Sequence, residues 1–380
     1  MSPAKQVECL VIGGGLAGSM VAMRLASVGR EVTLIEREPR AHHKVCGEFL
    51  SAEAVAYLRA AGMEPPAMGA ATIRTVRLAA GRRVAEAALP FSAFSLSRSV
   101  LDQALLNRAA ECGCNVRRGT AAESLIHGGD GWVARMRGGE SVSAQSAFLA
   151  TGKHDLNGHE RQHRGSGDLV GFKLHWRLTP RQTDELRDAM DLFLFQGGYG
   201  GLSLIENATA NLCLVVRRDA LRARGGWPRL LAAIAEENVH LGSRLRGASA
   251  LWDRPLAIYP IPYGYLATQS DGRPDDLWRV GDQAAVIPSF TGDGMSIALH
   301  SGALASEMFL AGRSAGEFHR SLRNQLRPGM RVSNLIAKVM MSGFGRSAAP
   351  AAATLLPEAM VGIARWTRIP ERVMTVPAAS

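Results

Sequence analysis

The hydrophobic pattern changes period repeatedly along this chain, and the order of those changes predicts its elements. Val7 to Ile12 is a continuous apolar run, as expected of a strand buried on both faces. A helical pattern starts near Leu16, and Glu31 to Ile35 forms a second strand that closes on Glu36. Ala52 to Ala61 reads as a short helix. Thr72 to Leu89 alternates as a hairpin (Val76, Leu78, Val84) turning at Gly81. Ser97 to Cys112 places Leu101, Leu105 and Ala109 on one helix face, with Ser97 or Ser99 as N-cap. Strands follow around Asn115 to Leu125 and Gly131 to Met136, and Gln145 to Ala150 is an apolar strand running into Thr151-Gly152.

Beyond Gly165 the pattern turns β-rich. Val170 to Leu178, Asp191 to Gln196, Leu202 to Glu206 and Leu212 to Arg217 read as strands, and Asp219 to Arg224 and Trp227 to Val239 as helices. Leu277 to Val280 returns to strand character and meets Gly281-Asp282. Ser296 to Leu310 is a long helix, and more helices follow, with a loop or broken helix at the alanine-rich Ala348 to Ala353. No internal repeat is present.

The first turn carries the most specific chemistry. Strand, Gly13-x-Gly15-x-x-Gly18, helix, strand and acid follow in the order of a dinucleotide site. Gly13 allows a tight turn, Gly15 lets the backbone approach a pyrophosphate, and Gly18 lets helix and strand pack closely. The helix start at Leu16-Ala17 points N–H groups at phosphate, and Glu36, followed by Arg37, is placed to bind ribose hydroxyls.

A length of 380 residues suits two interleaved domains, and 47% hydrophobic content supplies ample core. No run of 18 apolar residues is present to span a bilayer, and no signal segment precedes the first strand. Five cysteines, odd in number and without metal-ligand spacing, suit a reducing cytoplasm. No metal site is expected: His154, His159 and His163 share a loop but lack partners in helical register. The formal charge of +10 concentrates late. Ten basic residues stand against three acids from Ala311 onward. That excess fits a solvated surface, weak peripheral contact with an anionic membrane, or binding of an anionic substrate, and no nucleic-acid motif accompanies it.

These separated motifs resemble the flavoprotein superfamily of para-hydroxybenzoate hydroxylase and the geranylgeranyl reductases, over roughly Val7 to Phe309. The resemblance implies an α/β fold: a Rossmann-like FAD-binding domain with a parallel, glutathione-reductase-like sheet, an inserted β-rich substrate domain and a helical C-terminal region. The FAD domain would comprise 1–70, 97–164 and 271–312, the substrate domain 165–270 with the hairpin 71–96, and the helical region 313–380. By resemblance, FAD would contact Arg98 at its phosphates and Gly281-Asp282 along its ribityl arm. Pro288, Gly292, Gly294 and Met295 would cover the flavin's pyrimidine edge. Gly152 lies where hydroxylases carry an Asp-Gly motif serving FAD and NADPH, but Thr151 replaces that Asp.

Lys44-Val45-Cys46-Gly47-Glu48 resembles the Cys-Gly-Glu loop beside the flavin of geranylgeranyl reductases. Cys46 is a candidate proton donor or a small packed filler. Glu48 becomes a general acid if burial raises its pKa. Tyr263, in Tyr259-Pro260-Ile261-Pro262-Tyr263, enters where family members approach the substrate.

The favoured expectation is an NAD(P)H-dependent monooxygenase that hydroxylates a hydrophobic or aromatic small molecule through a flavin hydroperoxide. The alternative is flavin-dependent reduction of a lipid carbon–carbon double bond. A halogenase ranks lower, because Trp176 stands alone between His175 and Arg177 without the tryptophan-halogenase motif, and a non-catalytic flavin binder ranks lowest. The expected location is cytoplasmic, with the inner membrane face as its peripheral variant, and no oligomeric state is implied.

Overall fold

The computed structural model describes residues 6–161, 168–268, 276–343, 345, 362 and 366–376. His163 and the alanine-rich stretch 348–353 lie outside them. The chain opens with β1 (Val7–Ile12), α1 (Leu16–Ala26) and β2 (Val32–Glu36). It reaches a second sheet for β3 (Phe49–Leu50), passes through α2 (Ala52–Ala60), then makes the hairpin β4 (Ala71–Ala80) and β5 (Arg83–Ser95). Helix α3 (Arg98–Glu111) returns it to β6 (Asn115–Arg118), β7 (Ala122–Gly128), β8 (Gly131–Met136) and β9 (Ser141–Leu149). The second sheet is completed by β10 (Leu169–Arg177), β11 (Asp188–Phe195), β12 (Gly198–Leu204) and β13 (Ala210–Arg217). Helix α4 (Pro180–Leu186) lies between β10 and β11. After β13 come α5 (Arg218–Ala223), α6 (Trp227–Glu237) and α7 (Val239–Leu245), then β14 (Ser249–Ala250) and β15 (Leu256–Ile258). Strand β16 (Leu277–Arg279), α8 (Gly294–Leu310) and α9 (Ala315–Met341) follow.

The first sheet has the order β6-β2-β1-β9-β8-β7, with β16 pairing the far half of β9. Its β6, β2, β1, β9 and β16 neighbours run parallel, which requires crossover connections and buries both faces. Helix α1 is buried almost throughout because it is sandwiched by α3 and α8. A Cβ at Gly302 of α8 would lie 2.6 Å from the Ala17 carbonyl, so the two helices meet backbone to backbone only with glycine there.

The second sheet runs β14-β10-β13-β12-β11-β4-β5-β3, and the hairpin joins it through parallel pairing of β4 with β11. Strand periodicity decides what this sheet shows to the first domain. Phe172, Leu212, Leu214 and Val216 pack outward beneath Leu230, Ile234 and Leu241 of α6 and α7. Leu169, Tyr199 and Val215 face the other way, with Ile261, Tyr265 and Met340. Lys173 and His175 therefore share a face with Leu169, and Asn211 and Cys213 share one with Val215.

Several local expectations changed. The segment from Asn115 splits into β6 and β7 at Gly119, whose φ is +70°. The loop after Glu36 contains β3, too short to carry a periodic signal. Helix α4 begins with Thr179 and Gln182 in a reciprocal capping box with Pro180 in the first turn, a start signal readable as T-P-x-Q. Ser97, rather than Ser99, caps α3, accepting the Val100 N–H.

Candidate functional site

The glycine loop is held from behind. The Gly13 N–H donates to the Ile35 carbonyl at 2.8 Å, and the Gly14 N–H to Glu36 Oε2 at 2.7 Å. Glu36 Oε1 accepts the Glu38 N–H at 2.9 Å, so this buried carboxylate fixes the loop while lining a cleft with His42, Lys44, Asp102 and Arg118. Arg37 turns outward, half exposed, to pair with Glu38. Leu16 and Ala17 are buried at the start of α1.

Two cations cover this loop. A Cβ built on Gly15 would lie 3.5 Å from Lys44 Nζ and 3.6 Å from Arg98 Nη2. Asp102 binds both, with 2.8 Å to Lys44 and a bidentate 2.7 and 2.8 Å to Arg98. Burial alone would raise the Asp102 carboxyl, but these two charges hold it down to about 2. Arg98 and Lys44 are thereby held over the glycine loop, where a diphosphate would find two cations. Lys44 and Asp102 were not singled out from sequence, although Arg98 and Asp102 have the helical i,i+4 spacing that signals a pair.

At the other end, Gly281 has φ +61° and its Cβ would meet Ala17, which brings the Gly281-Asp282 turn onto the first helix. The Asp282 carboxylate lies 3.7 Å from Lys153 Nζ, and its carbonyl accepts from Arg161 at 3.0 Å. Gln283 ties this turn to the Gly152 carbonyl at 2.9 Å. Gly292 adopts φ +75°, and a side chain there would strike Phe49 at 2.5 Å. Hence the Pro288–Gly294 segment and the Cys46 loop are neighbours. Asp293, before the start of α8, is buried, and burial pushes its carboxyl up to about 6 against the opposing charge of Arg368. Met295 is buried behind it.

The Cys46-Gly47-Glu48 loop joins the two domains. The Cys46 sulfur accepts the Glu48 N–H at 3.3 Å, its carbonyl accepts from Asn211 at 3.2 Å, and Arg98 lies against the thiol. A Cβ on Gly47 would meet no protein atom within 4 Å. Cys213 is close enough to Cys46 for their charges to interact, and burial pushes its thiol up to about 12.

Glu48 corrects the general-acid expectation. The side chain is wholly buried, with Oε1 taking the Arg98 N–H at 2.7 Å and the Lys173 ammonium, and Oε2 3.3 Å from His175 Nε2. Burial favours its neutral form, but the bond to His175 and the charge of Lys173 win, and its pKa falls below the ordinary value. It is an ionised bolt between α3 and β10. His43 comes within ligand range of Glu48 and His175, but Lys173 already supplies the positive charge that this carboxylate needs. Burial and the same lysine push His43 down to about 4.

Tyr263 donates to Ser289 Oγ at 2.7 Å, and Tyr199 Oη lies 3.2 Å from the same oxygen. Burial, reinforced by the neighbouring Tyr199, holds the Tyr263 phenol well above its usual range, so it stays protonated. Three hydroxyls therefore line up beside Pro288, against the apolar wall of Leu192, Val215, Ile258 and Phe290. Tyr199, Ser289 and Cys213 were missed from sequence because no motif marks them: strand parity places Tyr199 and Cys213, and a 3₁₀ turn places Ser289.

These residues fit FAD. Gly15 leaves backbone open beneath two cations, as a diphosphate would require. The Asp282 turn meets the same helix, and a Cβ on Gly47 or Gly294 would meet no protein atom within 4 Å, room that a planar ring would need.

Residues 6–150 match the family described as FAD binding domain. The chain is 24% identical over 327 residues to a menaquinone reductase of Mycolicibacterium smegmatis, covering 81% of this chain and 77% of that protein. It is 25% identical over 314 residues to a digeranylgeranylglycerophospholipid reductase 2 of Methanopyrus kandleri, covering 80% and 76%. The solved flavin-dependent brominase Bmp2 superposes with a TM-score of 0.77 at 17% identity, covering 98% of this chain and 97% of that one, a likeness of fold alone. Residues 6–150 thus carry an FAD binding domain, and the chain is an FAD-dependent oxidoreductase.

Proposed function

We propose that this oxidoreductase reduces a carbon–carbon double bond in an apolar, polyprenyl-type lipid, with NAD(P)H as the electron donor. This places the reductase alternative ahead of hydroxylation. The observation that carries it is the Tyr263–Ser289–Tyr199 hydroxyl chain set in an apolar wall opposite the Cys46-Gly47 loop. Adding two hydrogens to an alkene requires a hydride equivalent and a proton, and a half-buried phenol held neutral is a proton source. The names of the two reductases above lean the same way.

FAD, when bound, supplies the hydride equivalent. The residues of the chain do the rest. Lys44 and Arg98 would hold its diphosphate, Asp282 its ribityl hydroxyls, and Cys46-Gly47 and Gly292-Gly294 would flank the ring. The wall of Leu192, Val215, Ile258 and Phe290 orients an apolar substrate and excludes water. Tyr263 holds the proton at Oη. Rotation of that O–H from Ser289 toward the substrate delivers it, and the Ser289 hydroxyl then donates to the phenolate until a solvent proton restores Tyr263.

The deciding experiment is anaerobic. Reduced protein incubated with menaquinone or a geranylgeranyl lipid should yield a product with two added hydrogens. Product that forms only with oxygen and carries label from heavy-isotope O2 would establish the NAD(P)H-dependent hydroxylase instead. Tyr263→Phe should keep its flavin and lose roughly 10²–10⁴ in turnover, the usual range for a general acid. Wild-type turnover in that variant would remove Tyr263 from the chemistry.

A further inference from the structure

We propose that the outer face of the second half of α9, together with Trp366, docks on an anionic lipid bilayer. Helix α9 is amphipathic in an unusual sense. Its inner face buries Leu326, Met330, Ser333, Ala337 and Met340. On the outer face, Arg327, Arg331, Leu335, Lys338 and Val339 recur at helical spacing and are all exposed, Leu335 by 65%. Trp366 is 75% exposed, and its carbonyl lies against Gly329 of α9.

Scattered exposed apolar residues are ordinary on a protein surface. Here they share a face with cations, and that combination suits an interface where apolar side chains enter the acyl boundary and cations meet lipid phosphates. Charge complementarity selects the occupant. Between Glu317 and Glu358 the sequence holds six basic residues and no acid. A second copy of this chain would bring the same cations to the contact, whereas an anionic bilayer neutralises them. A nucleic acid would satisfy the charges but leave Leu335, Val339 and Trp366 without apolar partners.

The position gives the docking a use. Met340, with Ile336 and Met341, packs from the inner face of α9 onto the cluster containing Tyr199, Tyr263 and Phe290. Asn334 abuts Gly264, next to Tyr263. The proposed bilayer contact and the apolar wall are thus separated by one helix, a thickness of about 10 Å. A lipid substrate would travel that distance rather than through water.

The test is sedimentation with vesicles. Flavin-loaded protein should co-sediment with mixed phosphatidylglycerol/phosphatidylcholine vesicles, be released by high salt, and ignore pure phosphatidylcholine. Replacing Arg327, Arg331 and Lys338 by Gln should lower partitioning roughly fivefold per residue. The set Leu335→Ser, Val339→Ser and Trp366→Ala should weaken it without changing salt sensitivity. Flavin content and thermal midpoint of each variant confirm that it folds. Absence of binding to anionic vesicles, wild-type binding by both variant sets, or a concentration-dependent dimer abolished by the same substitutions would each overturn the proposal. So would duplex DNA binding that the apolar substitutions leave untouched. Turnover of a detergent-dispersed substrate separates this from the proposed reaction: lost vesicle binding with intact reduction sinks docking alone, and the converse sinks the reductase alone.

Discussion

Gly18→Ala should yield colourless protein. A Cβ at this position would lie 1.9 Å from the Gly13 carbonyl oxygen and 3.0 Å from the Ala150 Cβ. Both obstacles belong to the packed centre of the first sheet, where the Ala150 N–H donates to the Ile12 carbonyl at 2.8 Å, so no flexible side chain can yield. Either α1 must lift from β1 or the Gly13 turn must move, and either change misdirects the N–H groups that would meet the diphosphate. Overpacking of this kind costs about 1–3 kcal/mol, and 3 kcal/mol placed on the cofactor-binding state is about two decades of affinity. The ratio of flavin absorbance to protein after gel filtration measures the effect. Thermal unfolding with added FAD should show the wild-type midpoint rise and the variant remain flat. A stoichiometrically yellow Gly18→Ala protein would overturn the placement of the diphosphate at this loop.

Glu48→Gln should produce the largest loss of stability of any isosteric change in the site. Glu48 and Lys173 have side chains with 0% exposure, so the substitution strands a buried ammonium. Breaking a buried pair on one side costs about 3–5 kcal/mol. Adding Lys173→Met should restore part of it, since an apolar pair needs no counter-charge. The pH dependence has a definite sign. The folded pKa of Glu48 lies below its unfolded value, so its contribution is complete above the ordinary carboxylate pKa and fades as pH falls through the folded one. The gap in stability between wild type and Glu48→Gln should therefore narrow under acid. Denaturant titrations across that range measure it. If Glu48 were a general acid, flavin-loaded Glu48→Gln would lose the alkaline limb of its pH–rate profile; an ionised bolt predicts the same profile shape at a lower thermal midpoint.

The two ends of the cofactor site were legible for different reasons. Gly13, Gly15 and Gly18 announce themselves because each answers a steric demand that no other residue meets. Gly281-Asp282 and Gly292-Asp293-Gly294 were legible only through resemblance, since a short turn carries no periodic signal. Glu48 shows how partners distant in sequence decide the state of a residue. Burial was inferable from the loop, but Lys173 and His175 are distant in sequence, and they reverse the direction in which burial alone would move the proton. Strand parity would have supplied them. Leu169, Gly171, Lys173 and His175 share a parity in β10, and a lysine and a histidine on the inner face of a buried strand imply a carboxylate opposite. The Tyr263–Ser289–Tyr199 chain needed the fold itself, because its members come from a crossover loop, a 3₁₀ turn and a sheet strand.

The passage of the chain to and fro between the sheets limits how such an enzyme can be re-engineered. The hairpin at 71–96 reaches the second sheet from within the first domain, and its β4 strand is the sole parallel neighbour of β11 among the described residues. Specificity therefore cannot be exchanged between homologues as one contiguous cassette spanning 165–270. A graft lacking the matching hairpin would leave β11 with a raw hydrogen-bonding edge, and chimaeras built that way should aggregate before their substrate range can be measured.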